Sequence, residues 1–418
     1  MRNSLYFLML SAVLGIGCSS AEEPEESPSP PEDEETQTLV EWPGAPIELW
    51  NGDDVSTLFN TTAPDTEADY YVATILRVDG KLEIMPGVTV EFSQDAGIFM
   101  APDSELIASG TAERPILLTG REETPGYWDG VGIASNMANV MSHTTIEFAG
   151  ADPISGLATY FYGGLTVGAG EDTGKLAITD CTFRDNRGYG VVAPNADLEG
   201  FARNTFERNQ EAPISLSLKQ ATHLDSESRF LGENGEGTKD HVLVEPTTLK
   251  TSGSLSLLDV PYRLKNRVHD VASDATVQAA LTIEPGVTLE IGGKIGISIE
   301  NGGSLSAQGT AELPITIKDD GTSGPWAGLW FLTMSENNLL DHVHITNGGM
   351  STPSAAWGEI EDERAAVSVG YDTPGALTMR NSSVTNSRGW GVYVESDSEL
   401  EHSGNTFENN ELGDLRVP

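Results

Sequence analysis

The sequence predicts an all-β solenoid, a parallel β-helix built from two duplicated halves. The first observation is internal repetition: Leu82-Glu83-Ile84-Met85-Pro86-Gly87-Val88-Thr89-Val90-Glu91-Phe92 returns as Leu281-Thr282-Ile283-Glu284-Pro285-Gly286-Val287-Thr288-Leu289-Glu290-Ile291. The copying continues from Gly110-Thr111-Ala112-Glu113 to Gly309-Thr310-Ala311-Glu312, and from Asn204-Thr205-Phe206 to Asn405-Thr406-Phe407. Duplication on this scale is the signature of a repeat architecture. The second observation is short runs of alternating apolar residues, such as Val88 to Phe92, Ile295 to Ile299 and Val392 to Val394, whose period of two marks strands. The third is composition: 418 residues with 38% apolar and 7% aromatic side chains suit the thin core of a stack of coils.

Taken in order, the chain opens with Met1-Arg2-Asn3-Ser4, then an apolar stretch from Leu5 to Ile16 that is too short to span a bilayer, then Gly17-Cys18-Ser19-Ser20. This resembles a bacterial lipoprotein signal, with Leu14 one place earlier than the commonest pattern. The resemblance implies removal of residues 1–17, lipidation of Cys18, export, and an outer-membrane or cell-surface address, since Ser rather than Asp follows the Cys. Ordinary cleavage after Ser19-Ser20-Ala21 is the plainer alternative. Residues 18–37 are Pro- and Glu-rich and no Lys or Arg follows until Arg77, so this stretch reads as a disordered tether or, alternatively, an acidic ligand for a partner. Residues 38–70 are expected to form an N-terminal cap, and 71–418 one continuous β-helix. Its copies are placed at about 71–218 and 261–418, joined by coils at 219–260.

Within the body, Gly, Asn, Asp and Pro punctuate the strands, and Pro86-Gly87 and Pro285-Gly286 suit type II turns. Asn186, Asn204, Asn209, Asn386, Asn405 and Asn410 are placed at corners, where Asn tolerates left-handed backbone and can bond the amide of the next coil. Asp197 to Asn204 has helical spacing, but Gly200 interrupts it and its counterpart runs from Ser398 to Asn405, so both copies read as turn and strand. Cys181, with Cys18 assigned to lipid, has no disulfide partner and reads as a small apolar filler, Ser382 being its counterpart. At the end of the sequence, Pro418 and nearby acids are expected to blunt an exposed strand edge, a covering partner being the alternative.

The phrases Leu281 to Leu289, Gly302 to Ala311, Trp326-Ala327-Gly328-Leu329 and Asn405-Thr406-Phe407 resemble bacterial right-handed parallel β-helix repeat proteins of the surface-lipoprotein type. The resemblance covers roughly 70–418 and implies the fold. It leaves the activity open, because lyases, glycosidases, adhesins and spikes share that fold.

With 64 acidic against 23 basic residues and a net charge of −41, the chain is unsuited to nucleic acid or anionic membrane, which need clustered Lys and Arg. Of the motifs of polygalacturonase-like members only Asp-Asp occurs, at Asp53-Asp54 and Asp319-Asp320. Arg187 and Arg388 stand where a lyase-like base would be sought, yet an Arg at a Gly-flanked turn is commonly a solvated side chain. His342-Val343-His344 puts two imidazoles on one face of a strand with no third ligand in spacing. No catalytic, metal or cofactor motif is therefore assigned. Binding fits better: Gly150 to Gly163 and Gly348 to Arg364 are matching insertions expected to wall a groove on one side. They carry Tyr160 and Tyr162, and Trp357, with Tyr189 and Trp390 close by, and aromatic faces of this kind stack on sugar rings; covering the β-helix flank is the plainer use. Glu359, Glu361, Asp362 and Glu363 beside Trp357 either hold calcium or keep the loop solvated. The expected function is a lipid-anchored, non-catalytic binding or adhesion module for glycans or envelope partners, with a polysaccharide lyase or hydrolase and a structural spacer as alternatives.

Overall fold

The computed structural model describes residues 47–50, 56–60, 68–154, 162–168, 173–234, 240–266, 274–353 and 361–418. By contacts the chain divides into Met1–Glu41 and Trp42–Pro418, and every described residue lies in the second unit. The signal, Cys18 and the tether fall outside the described residues.

The described chain is almost entirely β and forms a parallel β-helix. In the first half the coils from Tyr70 to Leu198 contribute three strands each. Strands beginning at Tyr70, Thr89, Ile116, Thr144, Thr182 and Thr205 stack in one seven-stranded sheet that starts with Ile47–Leu49. The next strands, at Ile75, Gly97, Gly130, Gly163, Tyr189 and Ile214, join a thirteen-stranded sheet. The third strands build a six-stranded sheet ending at Ala196–Leu198. Neighbouring coils pair in parallel, as in Tyr70↔Val90 and Val90↔Leu118. Within residues 38–70, Ile47–Leu49 and Thr57–Leu58 already pair with Tyr70–Val72 and with Glu83 and Ile84.

Period-two alternation explains the core. In Thr89–Phe92 the inward residues Val90 and Phe92 are fully buried while Thr89 and Glu91 are half-buried. Stacking such coils yields one apolar column from Leu49 to Val394, onto which Leu400, Phe407 and Leu415 pack. Within it Phe92 lies flat against Trp128 with ring centroids 3.9 Å apart, and Phe183, Phe206 and Phe230 stack at 5.3 and 5.2 Å. Each such pair contributes about 1 kcal/mol beyond the area it buries.

Corners follow a two-residue rule. A residue in the left-handed region, such as Asp180, Asp185, Arg203, Arg208 or Asn386, precedes a buried small or polar one, here Cys181, Asn186, Asn204, Asn209 and Ser387. The left-handed residue turns the chain and the next bonds the neighbouring coil. Asn186, Asn204, Asn209, Asn405 and Asn410 occupy the bonding place. Asn386 does not: it is the turning residue, and Ser387 stands where Asn186 does. Gly87 and Gly286 take φ of 83° and 84°, and Val88 and Val287 donate back to Met85 O and Glu284 O at 3.3 Å, as type II turns require. Asp197 to Asn204 is strand then turn, and its counterpart Glu399–Ser403 is strand.

The two copies share local structure but not their place around the rod. Thr89–Phe92 lies in the seven-stranded sheet, whereas its duplicate Thr288–Ile291 lies in the thirteen-stranded one. Gly97–Met100 is in the thirteen-stranded sheet, and its duplicate Gly296–Ile299 is in the next sheet round. The second copy is therefore turned by one face of three. The offset arises between Ser217 and Val242, where a short helix, Leu218–Ala221, takes the place of a third-face strand. It packs between Ala196–Leu198 on one side and Thr248–Leu249 on the other. Among the described residues, the thirteen-stranded sheet alone runs through this junction.

Candidate functional surface

Tyr160 and Trp357 lie outside the described residues, as does Asp53-Asp54. The other aromatics selected from the sequence sit where the insertions rejoin the rod. Tyr162 is 36% exposed, and the Arg187 guanidinium stands 5.3 Å over its ring while Arg187 Nη1 donates to Ala151 O at 3.0 Å. Tyr189 N donates to Tyr162 O at 2.9 Å, which sets Tyr189 one coil beyond. In the second copy Trp390 Nε1 donates to Asp362 O at 2.9 Å, and the Arg416 guanidinium lies 5.8 Å from its ring centroid. The Arg-Gly-aromatic-Gly phrase shared by the copies has a steric cause. A Cβ at Gly188 would collide with Tyr162 O, and one at Gly389 with Arg364 O, so the returning insertion needs glycine in the coil above.

The rotation between copies separates these aromatics. The first insertion leaves the seven-stranded sheet after Glu147 and enters the thirteen-stranded sheet at Gly163. The second leaves the thirteen-stranded sheet after Thr346 and enters the following sheet at Ala365. Their described ends lie on opposite edges of the long sheet, not on the one side expected of matching insertions. The start of the first insertion also covers the rod's flank. Ile154 packs with Phe99, Ala101 and Ala134, an apolar cluster on the outer side of a strand whose Ile98 and Met100 face the core.

A polar depression of about 380 Å³ lies at the corner after the thirteen-stranded sheet in the second copy, lined among others by Asp319, Asn347, Asn386, Arg388, Asn409 and Glu411. Its charges are paired: Arg388 Nη1 meets Glu411 Oε1 at 2.7 Å and Asn347 Nδ2 donates to Asp319 Oδ1 at 2.6 Å. Asp320 faces its own turn. Burial would raise its carboxyl, but the N–H groups of Thr322 and Ser323 and both hydroxyls hold it well below the ordinary carboxylate value. His342 and His344 are not a chelating pair on one strand. His342 is a left-handed corner residue bonded to Asp341 Oδ1 at 2.8 Å, and His344 bonds Ser383 Oγ at 2.7 Å.

One cluster escaped the sequence reading. Asp95, Asp129 and Asp152, at one corner of three successive coils, bring a carboxylate oxygen each within 4.8 Å of the others. Burial, then the charge of Asp152, and less strongly that of Asp95, push the Asp129 carboxyl up to about 7 against the opposing hydrogen bond from the Asp152 backbone.

No protein-family model, curated protein or solved structure matches the chain. The class of protein is defined by its fold, an all-β parallel solenoid, and the functional reading stands on sequence and geometry.

Proposed function

We propose that this chain is an exported, lipid-anchored surface protein of the parallel β-helix repeat type, acting as a non-catalytic binding module for glycans or envelope partners. The observation that carries the reading is the placement of Tyr162, where the first insertion returns to a rigid rod, and of Trp390, one coil beyond the return of the second and bonded to its Asp362 O, each part-exposed with an arginine beside its ring. An aromatic plane held against a guanidinium has little rotamer freedom left to lose on stacking against a sugar ring. Support for the anchor is the Gly17-Cys18-Ser19 context after a short apolar stretch. A β-helix suits such a role because each coil contacts only its neighbours, giving a stiff spacer that displays side insertions.

The test uses the Cys18→Ser chain, free of acyl groups, against a polysaccharide panel. Retention without new reducing or unsaturated ends, weakened by Tyr162→Ala or Trp390→Ala, supports a binding module. New ends would make it an enzyme, and neither retention nor cleavage would make it a spacer. Loss of palmitate incorporation in Cys18→Ser, relative to the parent chain, tests the anchor separately.

A further inference from the structure

We infer that Asp95, Asp129 and Asp152 form a binding site for one hard divalent cation of the calcium type, at the corner where the first insertion leaves the rod. The three residues stack directly. Asp95 N donates to Tyr127 O at 3.1 Å, Asp129 N to Ala96 O at 2.8 Å, and Ala151 N to Trp128 O at 2.9 Å, so the backbone ladder fixes the column. Two oxygens on the same calcium ion, each at about 2.4 Å, lie at most twice that distance apart, and the three carboxylates meet this condition.

Proximity of acids alone would be unremarkable on so acidic a surface. Asp129 makes the difference: it is 8% exposed, and although its carboxylate accepts a hydrogen bond from the Asp152 backbone, its buried Oδ1 has no hydrogen-bond partner. A buried carboxylate oxygen without a donor is costly, and it faces two further acids instead of a base. A cation supplies the missing partner and removes the repulsion, with waters filling the remaining coordination positions.

The duplicated half provides an internal control. Lys294, Ala327 and Ser351 occupy the matching places, and the ladder is the same: Lys294 N donates to Pro325 O at 3.2 Å, Ala327 N to Ile295 O at 2.9 Å and Met350 N to Trp326 O at 3.1 Å. The corner folds without any carboxylate, so the fold does not require the acids. Asp95 alone has a conformational reason, its φ of 57°, which Lys294 shares at 66°. Asp129 and Asp152 have none of this kind, and the hydrogen bond that the Asp129 carboxylate accepts from the Asp152 backbone is one the corner of Ala327 does without.

The experiment is calcium titration of the chelator-washed full-length protein by calorimetry, with terbium emission sensitised by neighbouring Trp128 as a second readout. One saturable site with a Kd of about a millimolar or tighter is expected. Asp129→Ala and Asp152→Ser, which install the residues of the other copy, should each weaken it about tenfold or more through lost ligand charge. Calcium should raise the melting temperature of the parent chain but not that of Asp129→Ala, and without calcium Asp129→Ala should melt above the parent. Absence of saturable binding at about ten millimolar calcium overturns the assignment, as does a titration unchanged by both variants. If Asp129→Ala fails to fold, exposed Asp152 carries the test alone. Glycan retention is not read in any arm, so this result and that of the binding reading stand apart.

Discussion

The side-chain amide of Asn209 donates to Asn234 Oδ1 at 2.8 Å, joining two successive coils through the buried corner of the rod. Asn186 Nδ2 donates to Asn209 Oδ1 at the same distance, and Asp240 Oδ1 closes the run by accepting from Asn234 Nδ2 at 2.8 Å. Each amide also bonds main chain, Asn209 Nδ2 reaching Phe183 O at 3.0 Å. These are buried polar groups whose donors and acceptors saturate one another, and they break together. Asn209→Ala is expected to cost about 2–4 kcal/mol, because it strands partners on both neighbouring coils. Asn410→Ala should cost less, since Asn410 meets Ser387 N at 3.1 Å and Val384 O at 3.1 Å in a part-exposed setting. Denaturant unfolding of the two variants compares them, and equal losses would show that the ladder adds nothing beyond its individual bonds.

Cys181 belongs to the same system. It fills the buried place that Asn204 fills one coil on, with Cys181 N donating to Asn204 Oδ1 at 3.0 Å and its thiol directed to Thr179 O at 3.3 Å. Burial pushes the thiol up to about 12, so thiolate is scarce at ordinary pH. In the Cys18→Ser chain a thiol reagent at pH 8 should modify no cysteine until denaturant is added. Cys181→Ser, the residue of the second copy, should fold and melt within a few degrees of the parent, about what a surface-like change gives. Rapid native labelling would show that the corner opens.

Strands and turns were legible because each is set locally: alternation marks which residues of Thr288–Ile291 face inward whatever sheet they join. The sheet itself was not legible. Matching phrases report what a segment does, and nothing in Pro285-Gly286 records how many faces separate it from Pro86-Gly87. The extra face is hidden in residues 218–241, where a helical turn stands in for a strand and leaves no repeat to align. The expectation that the insertions share one side failed for that reason. His342 and Asn386 misled by one residue each, since alternation cannot show which of two corner residues takes positive φ. The aspartate column was missed because its members fall on coils of unequal length, so no spacing marks them. Setting Asp95, Asp129 and Asp152 against Lys294, Ala327 and Ser351 would have exposed it from sequence once the coils were aligned.

Asp320 should make stability depend on acid. Its carboxylate is buried and accepts four hydrogen bonds from Thr322 and Ser323, with Lys265 Nζ at 3.3 Å. The folded chain holds this carboxyl below its ordinary value of 3.8, so the folded state gives up the proton more readily than the unfolded one. The stabilisation is complete above the unfolded value and is lost as pH falls through the folded one. Asp320→Asn is therefore expected to lower stability by about 2 kcal/mol at neutral pH, with the gap to the parent narrowing below about pH 4. Melting curves from pH 7 to pH 3 decide it, and a constant gap across that range would remove the charge from the explanation.

Among the described residues, two faces of the junction coil carry no continuous strand ladder, which makes Gln220 a sensitive position. Gln220 is 2% exposed; its Nε2 donates to Ala196 O and its Oε1 accepts from Leu198 N at 3.4 Å. The helix thereby finishes the open edge of Ala196–Leu198, a job the next strand does in every ordinary coil. From the other side Leu218 N donates to Thr247 Oγ1 at 3.1 Å, beginning the sheet that continues into the second copy. In a stack where coils touch only their neighbours, cooperativity between halves is limited by the weakest interface. Gln220→Ala leaves Leu198 N–H and Ala196 O without side-chain partners, at a cost of about 1–3 kcal/mol. The loss should fall at the interface, so hydrogen exchange should quicken at 196–198 and not at 98–100, and the thermal transition should broaden or split as the halves melt separately. A single sharp transition at the parent temperature, with exchange at 196–198 unchanged, would mean that the pairing of Ile214–Ser217 with Val242–Glu245, the Asn209–Asn234 bond and the Phe206–Phe230 stack hold the two copies together without the helix.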